Sequence, residues 1–349
     1  MDAERALLSD YGRVQGAKHL LRRFRPGRSQ RATPRPGINV ETTTGSSETA
    51  SQRIADDSVI NWSNFVSQVF NGVVLGALLA LISSGLTIIY GTLGVLNLAH
   101  GAMFMLGGYA GWIAYTYTDS FIVAVIAGSL FVMLVGVVME RVVIRHFYSR
   151  SPEDQLLVTF GLGIVFVETV RFFFGSLSQT VPPPASLIGI TPLGFMFYPT
   201  YRLALLGIVA VALIALYVAL YRTRIGMIVR AGIEDSVMVG SLGIDVHKVF
   251  MLVFGIGAMA AGFAGIVNAP VVSIAPDVGE AILVQTFVVI VIGGVGSFPG
   301  AVLGGFIAGE IISITSMFNP GYSYVMLFVA MTLVLVFRPY GLLGTAGRE

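Results

Sequence analysis

Between residues 65 and 337 the chain alternates membrane-length apolar runs with short connections, a pattern that very few folds can accommodate. The runs fall near 65–90, 101–118, 121–145, 155–175, 202–221, 249–269, 281–295, 300–318 and 322–337. A bilayer core holds no water to satisfy a backbone N–H or C=O, so a spanning segment is either a helix or part of a closed barrel. Runs approaching the roughly 20 residues of a spanning helix, rather than the roughly 10 of a barrel strand, select helices. The expected fold class is an all-α integral membrane protein, a polytopic bundle of 8–9 transmembrane helices. With 55% apolar and only 11% charged residues, no soluble domain competes with this reading. The chain has no cysteine, which excludes disulfides and thiolate metal sites.

One segment departs from a plain spanning helix. In Gly85–Gly108, GLTIIYGTLGVLNLAHGAMFMLGG, Asn97 and His100 stand among closely spaced glycines. An unpaired amide or imidazole in hydrocarbon costs several kcal/mol, so such residues face a protein interior or a watery path. Glycine-rich sequence here and at 281–305 predicts broken or re-entrant helices, which persist only where protein or water shields the backbone. Asn97, His100 and Gly101 are therefore candidates for the solute path. The competing role is structural: capping the break and bonding a neighbouring helix.

Short loops reveal orientation through their Lys and Arg. Arg141, Arg145 and Arg150 fall in one connection, Arg222, Arg224, Arg230 and Lys248 in another, and Arg338 after the last span, so these sides are expected to be cytoplasmic. Connections 176–201 and 270–280 carry no basic residue before Arg202 and belong outside, as does the start of the first span. Residues 1–58 contradict that arrangement, because ten of the 21 basic residues lie before residue 56. They lack apolar periodicity and are expected to be a disordered Arg-rich extension, and Arg22-Arg23 precedes no apolar h-region of a secretory signal. A start assigned too far upstream, with Val59 as the true one, explains such a head better than contact with nucleic acid or anionic lipid. The transmembrane domain then occupies residues 59–345.

Many of the 42 glycines lie four apart: Gly72, Gly76 and Ala80; Gly257, Ala261, Gly265 and Ala269; Gly300, Gly304 and Ala308. Each row covers one helix face and allows close backbone packing where no hydrophobic force drives helices together. Gly255-Ile-Gly257 lies inside an apolar run without a preceding soluble strand, so it is no dinucleotide fingerprint, and no GxxxxGK[ST] occurs.

The segment 222–248, RTRIGMIVRAGIEDSVMVGSLGIDVHK, is the longest polar connection between two runs. It predicts a short helix off the bilayer. Asp235 would cap its start with Glu234 beside it, Val237, Met238 and Leu242 would form an apolar face, and Gly243 would end it in a left-handed turn. Such a knob suits a groove on another protein, since a helix lying on lipid would carry bases rather than acids.

Four ordered blocks, GLTIIYGTLGVLNLAHGAMFMLGGY, RTRIGMIVRAGIEDSVMVGSLGID, VIGGVGSFPGAVLGGFIAG and the closing RPYGLLG, resemble the smaller permease of branched-chain amino-acid ABC transporters, over residues 60–345. Urea and amide importers are close relatives of that family. The resemblance implies a bacterial plasma-membrane, multi-pass subunit working with a second permease, two cytoplasmic ABC ATPases and an extracytoplasmic solute-binding protein. It implies no enzymatic activity, cofactor or nucleic acid, with ATP used by the partners. Gly226, Glu234, Asp235, Gly243 and Asp245 match the family's ATPase-coupling loop, and Asn97, His100 and Gly101 its broken-helix block. Residues 1–58 depart from the family pattern, and their deletion is expected to leave uptake within about twofold of the full chain, as for other solvated termini. A truncated chain that inserts but does not transport would overturn that expectation.

Among other ionisable groups, Glu168 and Arg171 lie three apart and are expected to pair on one helix. Glu310, within an apolar run, is a substrate-path candidate that is either protonated or paired with another helix, Arg171 or a partner permease. Asp277 and Glu280 offer an acidic external loop. The rival reading is a stand-alone secondary carrier or channel for a small polar solute, with Glu310 as its intramembrane carboxylate. An intramembrane hydrolase ranks last, because no evident serine nucleophile accompanies His100.

Overall fold

The computed structural model describes residues 62–194 and 196–344; the expectations for residues 1–58 lie outside the described residues. Each of the nine apolar runs is a helix among the described residues. These are α1 (Trp62–Leu93), α2 (His100–Thr118), α3 (Phe121–Val142), α4 (Pro152–Phe174) and α5 (Thr200–Arg222), then α8 (Val246–Asn268), α9 (Val278–Gly293), α10 (Phe298–Phe318) and α11 (Ser323–Phe337), with α6 (Arg224–Glu234) and α7 (Ser236–Ser241) between α5 and α8. Seven helical stretches are long and apolar enough to cross a membrane. Of the remaining two apolar helices, α9 has 16 residues and α2, with 19, opens on His100 at the chain break.

Local chemistry sets the ends. Ser151 accepts the Asp154 amide at 3.3 Å and Ser297 that of Gly300 at 3.1 Å, each followed by a proline in the first turn of α4 or α10. The two glycine-rich regions both contain breaks: α1 and α2 are separated by residues 94–99, and α9 and α10 by residues 294–297.

The core is built on α1. Of its apolar window 89% is buried inside the protein, against 11% for Pro320–Phe337. The glycine rows do what their spacing predicts. Helix α10 runs antiparallel along α1, with Gly76 against the Phe306 backbone and Gly305 against that of Ala80. On another face of α1, Gly85 meets Gly257 of α8. Dispersion between closely set backbones is the force available for such a seam in lipid.

Connections gather at two ends. The connection after α4 holds a small antiparallel hairpin, β1 (Ile190–Pro192) with β2 (Phe197–Pro199), and is joined to the connection before α9 by paired Gln179 and Ile274 backbone bonds of 2.8 Å. These are the two connections that lack basic residues before Arg202, so they do share one end. At the arginine-bearing end, the Leu342 and Leu343 amides donate at 2.9 Å to the Ile292 and Gly293 carbonyls, covering the end of α9.

Candidate functional site

The break after α1 starts at Gly94, whose φ of +69° turns the chain out of the helix. Asn97 then organises the re-entry. Its Oδ1 accepts the Ala99 amide at 3.1 Å and its carbonyl accepts the His100 amide at 3.2 Å, a side-chain-assisted turn that leads into α2. Asn97 Nδ2 reaches Met103 Sδ at 3.6 Å. His100 Nε2 lies 3.0 Å from the Ile82 carbonyl of α1, an acceptor only, so Nε2 carries the proton; Nδ1 has no partner. Both residues are fully buried. Thr159 of α4 secures the break by accepting the Leu98 amide at 3.2 Å, while its hydroxyl proton goes to the Gln155 carbonyl of its own helix at 2.9 Å.

Gly101, one residue on, touches the start of α9. A β-carbon on Gly279 would lie 2.7 Å from the Gly101 carbonyl, and one on Gly101 would lie 2.7 Å from Leu283 Cβ. Two helix starts therefore converge, each the positive end of its dipole. No side chain caps either one. Asp277 occupies the cap position of α9, yet its carboxylate is turned to Arg171 of α4 at 2.6 Å. Arg171 also pairs with Glu168, as the spacing predicts.

Between α4 and these two helix starts lies a cleft of about 250 Å³. Leu98 and Ala102 line it, whereas their neighbours Asn97 and His100 do not. Glu310 is elsewhere. Its carboxylate sits in the α1–α10 seam, where a β-carbon on Gly72 would lie 2.6 Å from Oε2, and Oε2 has no hydrogen-bond partner. Of the alternatives for Glu310, pairing with Arg171 is not the one formed: Arg171 is engaged by Glu168 and Asp277.

The polar connection 222–248 holds two helices rather than one. Thr223 opens α6, accepting the Gly226 amide at 3.2 Å and donating to the Ala219 carbonyl at 2.6 Å. Gly226 is needed here because a β-carbon would lie 2.8 Å from the Ala219 carbonyl oxygen. Arg230 donates to the Leu220 carbonyl and lies 5.7 Å over the Tyr221 ring, locking α6 to the end of α5. Glu234 ends α6 in solvent. Asp235 caps α7, accepting the Met238 amide at 2.8 Å, and Gly243 follows the helix at φ +81°. Asp245 caps α8 and pairs with Lys248 Nζ at 3.2 Å, and this hydrogen-bonded ammonium holds its carboxyl below the ordinary range. The expected apolar face is corrected in one respect: Val239 is buried while Met238 and Leu242 are exposed, and of Val237 only the backbone is described.

Glu140 escaped the sequence reading. It is fully buried near the end of α3, accepts the Tyr148 hydroxyl at 2.8 Å and lies 3.9 Å from Arg145. Burial raises the Tyr148 hydroxyl's pKa, and the bond to Glu140 adds to the shift. A carboxylate at the end of an apolar run, five residues before an arginine, was the available signal. Among the described residues no group of three His, Cys, Asp or Glu side chains converges as metal ligands would.

Residues 68–335 match the family described as branched-chain amino acid transport system permease component. The chain is similar to the high-affinity branched-chain amino acid transport system permease protein BraD of Pseudomonas aeruginosa, at 30% identity over 80% of this chain and 96% of that protein. It is similar to the corresponding permease protein LivH of Escherichia coli, at 32% identity over the same shares. A further relative is the permease protein LivM of Escherichia coli, 25% identical over 74% of this chain and 66% of that protein.

Proposed function

This chain belongs to the family of branched-chain amino acid transport system permease components, and from that premise we propose that it forms half of the membrane path of an ABC importer in the bacterial plasma membrane. A second, related permease forms the other half; that LivH and LivM of one organism both resemble this chain supports such a pairing. Two cytoplasmic ATPases supply the work and an extracytoplasmic binding protein delivers a branched-chain or other small amino acid, urea or a short amide. The arginine-bearing end faces the cytoplasm.

The observation that carries this reading is the α6–α7 element. Its α6 is capped by Thr223 and packs Val229 into the core, while α7 is capped by Asp235 and followed by the left-handed Gly243, and Met238 and Leu242 are 60% and 73% exposed. Exposed apolar side chains on a short helix and just after it suit a groove on a partner. The stand-alone carrier has weaker support, because Glu310 faces the α1–α10 seam rather than the cleft. Purification of the chain with its genomic neighbours in mild detergent tests the proposal. Two ATP-hydrolysing polypeptides are expected to co-elute, and Met238→Asp with Leu242→Asp to cut their recovery about tenfold, since charged groups in a desolvated groove cost more than 1.4 kcal/mol. Uptake that persists without ATP and without such partners overturns it.

A further inference from the structure

Glu140, near the arginine-bearing end of α3, keeps its carboxylate fully buried, and only one of its two oxygens has a hydrogen-bond partner, the Tyr148 hydroxyl on Oε1. Arg145 stops short of it. Its Nε lies 3.9 Å from Oε1 and, like Oε2, is buried without a hydrogen-bond partner. Each such group is costly to leave unpaired, and an approach of about 1 Å by Arg145 brings the two charges to hydrogen-bond distance. The phenol that holds the carboxylate also faces α8: its ring stands edge-on to that of Phe250, with centroids 6.4 Å apart at 85°. Phe250 in turn meets α6, where a β-carbon on Gly232 would lie 3.7 Å from its Cε1. Deeper in the bundle α3 and α8 are closely seated, since a β-carbon on Gly136 would lie 2.6 Å from Ala258 Cβ and one on Gly255 2.7 Å from Val137 Cγ2. On the other flank, Gln155 of α4 donates to the Phe147 carbonyl at 2.9 Å, tying the connection to α4. Contacts thus run from α6 through Phe250 and Tyr148 to Glu140 and α4. An apolar residue would hold this junction as firmly as a buried ion pair does. A carboxylate with one free oxygen suits a joint with two settings.

We propose that Glu140 is a positioning residue for transport: its carboxylate exchanges the Tyr148 hydroxyl for the Arg145 guanidinium as the α6–α7 element moves, and so sets how α8 sits against the connection between α3 and α4. With Tyr148 on Oε1, the ring is held against Phe250. With Arg145 in its place the phenol is released, and α8 follows α6. Two discrete arrangements of one buried group are the kind of element that carries energetic coupling through a packed bundle. The proposal rests on the importer reading, in which an ATPase moves the element, and it names the residues through which that movement reaches α3 and α4.

The test is leucine uptake per ATP hydrolysed by the whole transporter in liposomes. Arg145→Gln leaves the Tyr148 bond in place and removes the second setting. Glu140→Gln keeps an acceptor for Tyr148 and removes the charge that Arg145 would meet. Each is expected to lower uptake per ATP about tenfold, the worth of one hydrogen bond to a charged group, with hydrolysis and the amount of assembled complex unchanged within about twofold. Combined, the two are expected to lower it no further than either alone, because both remove the same exchange. Arg145→Lys, which keeps the charge, is expected to recover most of the uptake; Arg145 is 35% exposed, so this comparison stands where Glu140→Gln does not assemble. Unchanged uptake per ATP in Arg145→Gln, losses that multiply in the double variant, or equal losses with Gln and Lys in place of Arg145 overturn the proposal. So does a fall in assembled complex that accounts for the whole loss of uptake, the mark of a merely structural bridge. Any of these results in a transporter that shows ATP-driven leucine uptake before substitution leaves the importer reading intact. Absence of that uptake in the unsubstituted complex removes the importer reading, and this proposal with it.

Discussion

Gly305→Val is expected to abolish accumulation of folded protein in the membrane. A β-carbon at this position would lie 2.5 Å from the Ala80 amide nitrogen and 2.6 Å from its Cα, inside the contact distance of any pair of heavy atoms. The obstacle is backbone, so no rotamer change relieves it, and α10 must lift away from α1 or shift along it. Residues on either side resist that movement: Gly76 meets Phe306, and Ser313 donates to the Gln68 carbonyl at 2.6 Å. Overpacking a tight interior costs about 1–3 kcal/mol where side chains can adjust. A backbone obstruction belongs at or above the top of that range. The loss is not offset by apolar burial, since the face exposed by separation is as comfortable in lipid as in protein. Fluorescence-detected size-exclusion of detergent extracts provides the measurement, with Gly161→Val of α4, where a β-carbon meets nothing within 4 Å, as the control. Equal peaks for both variants would show that the α1–α10 seam is looser than described.

That seam was partly legible in the chain. Glycines spaced by four announce a face for close approach, but not which helix lies across it. Hydropathy located the nine runs because apolarity is a local property. It could not rank them: α1 and the last span have mean hydropathies of 2.3 and 1.8, yet one is the core and the other its edge. In a bilayer the outside of the bundle is apolar too, so the sequence pattern that separates inside from outside in a soluble protein is missing. Helix α6 was hidden for a different reason. Arg224, Arg230 and Glu234 make it look like loop, although Thr223 with Ile225 and Val229 four apart carried a cap and a face. The cleft was the least accessible part, since its Arg171–Asp277 bridge spans 106 residues of chain. Asn97 and His100 stand in the break itself. The structure directs their polar atoms to the turn, to Met103 and to the Ile82 carbonyl, while Leu98 and Ala102 beside them meet the cleft.

Gly243→Val is expected to cut uptake at least tenfold while the subunit still inserts and keeps its partners. Gly243 has φ +81°, a region that a β-branched residue reaches only at a cost of about 1–2 kcal/mol or more. Nothing lies within 4 Å of a β-carbon placed there, so the effect is purely conformational and no packing is lost. The chain relieves the strain by changing the turn between α7 and the Asp245 cap of α8. That turn sets the angle at which Met238 and Leu242 are presented, and α8 leads directly into the bundle at Gly257 and Gly265. Under the importer proposal, α7 with its turn displaced still binds its partner but no longer transmits the partner's movement. ATP hydrolysis by the assembled complex should therefore persist while uptake falls. Gly243→Asn separates this mechanism from simple intolerance of a larger residue, because asparagine enters the left-handed region readily and should retain most of the uptake. Gly240→Ala, in α7 itself with no atom within 4 Å of the added carbon, should be near neutral. Wild-type uptake by Gly243→Val, or equal loss in the Val and Asn variants, would separate the turn from the coupling of ATP hydrolysis to transport.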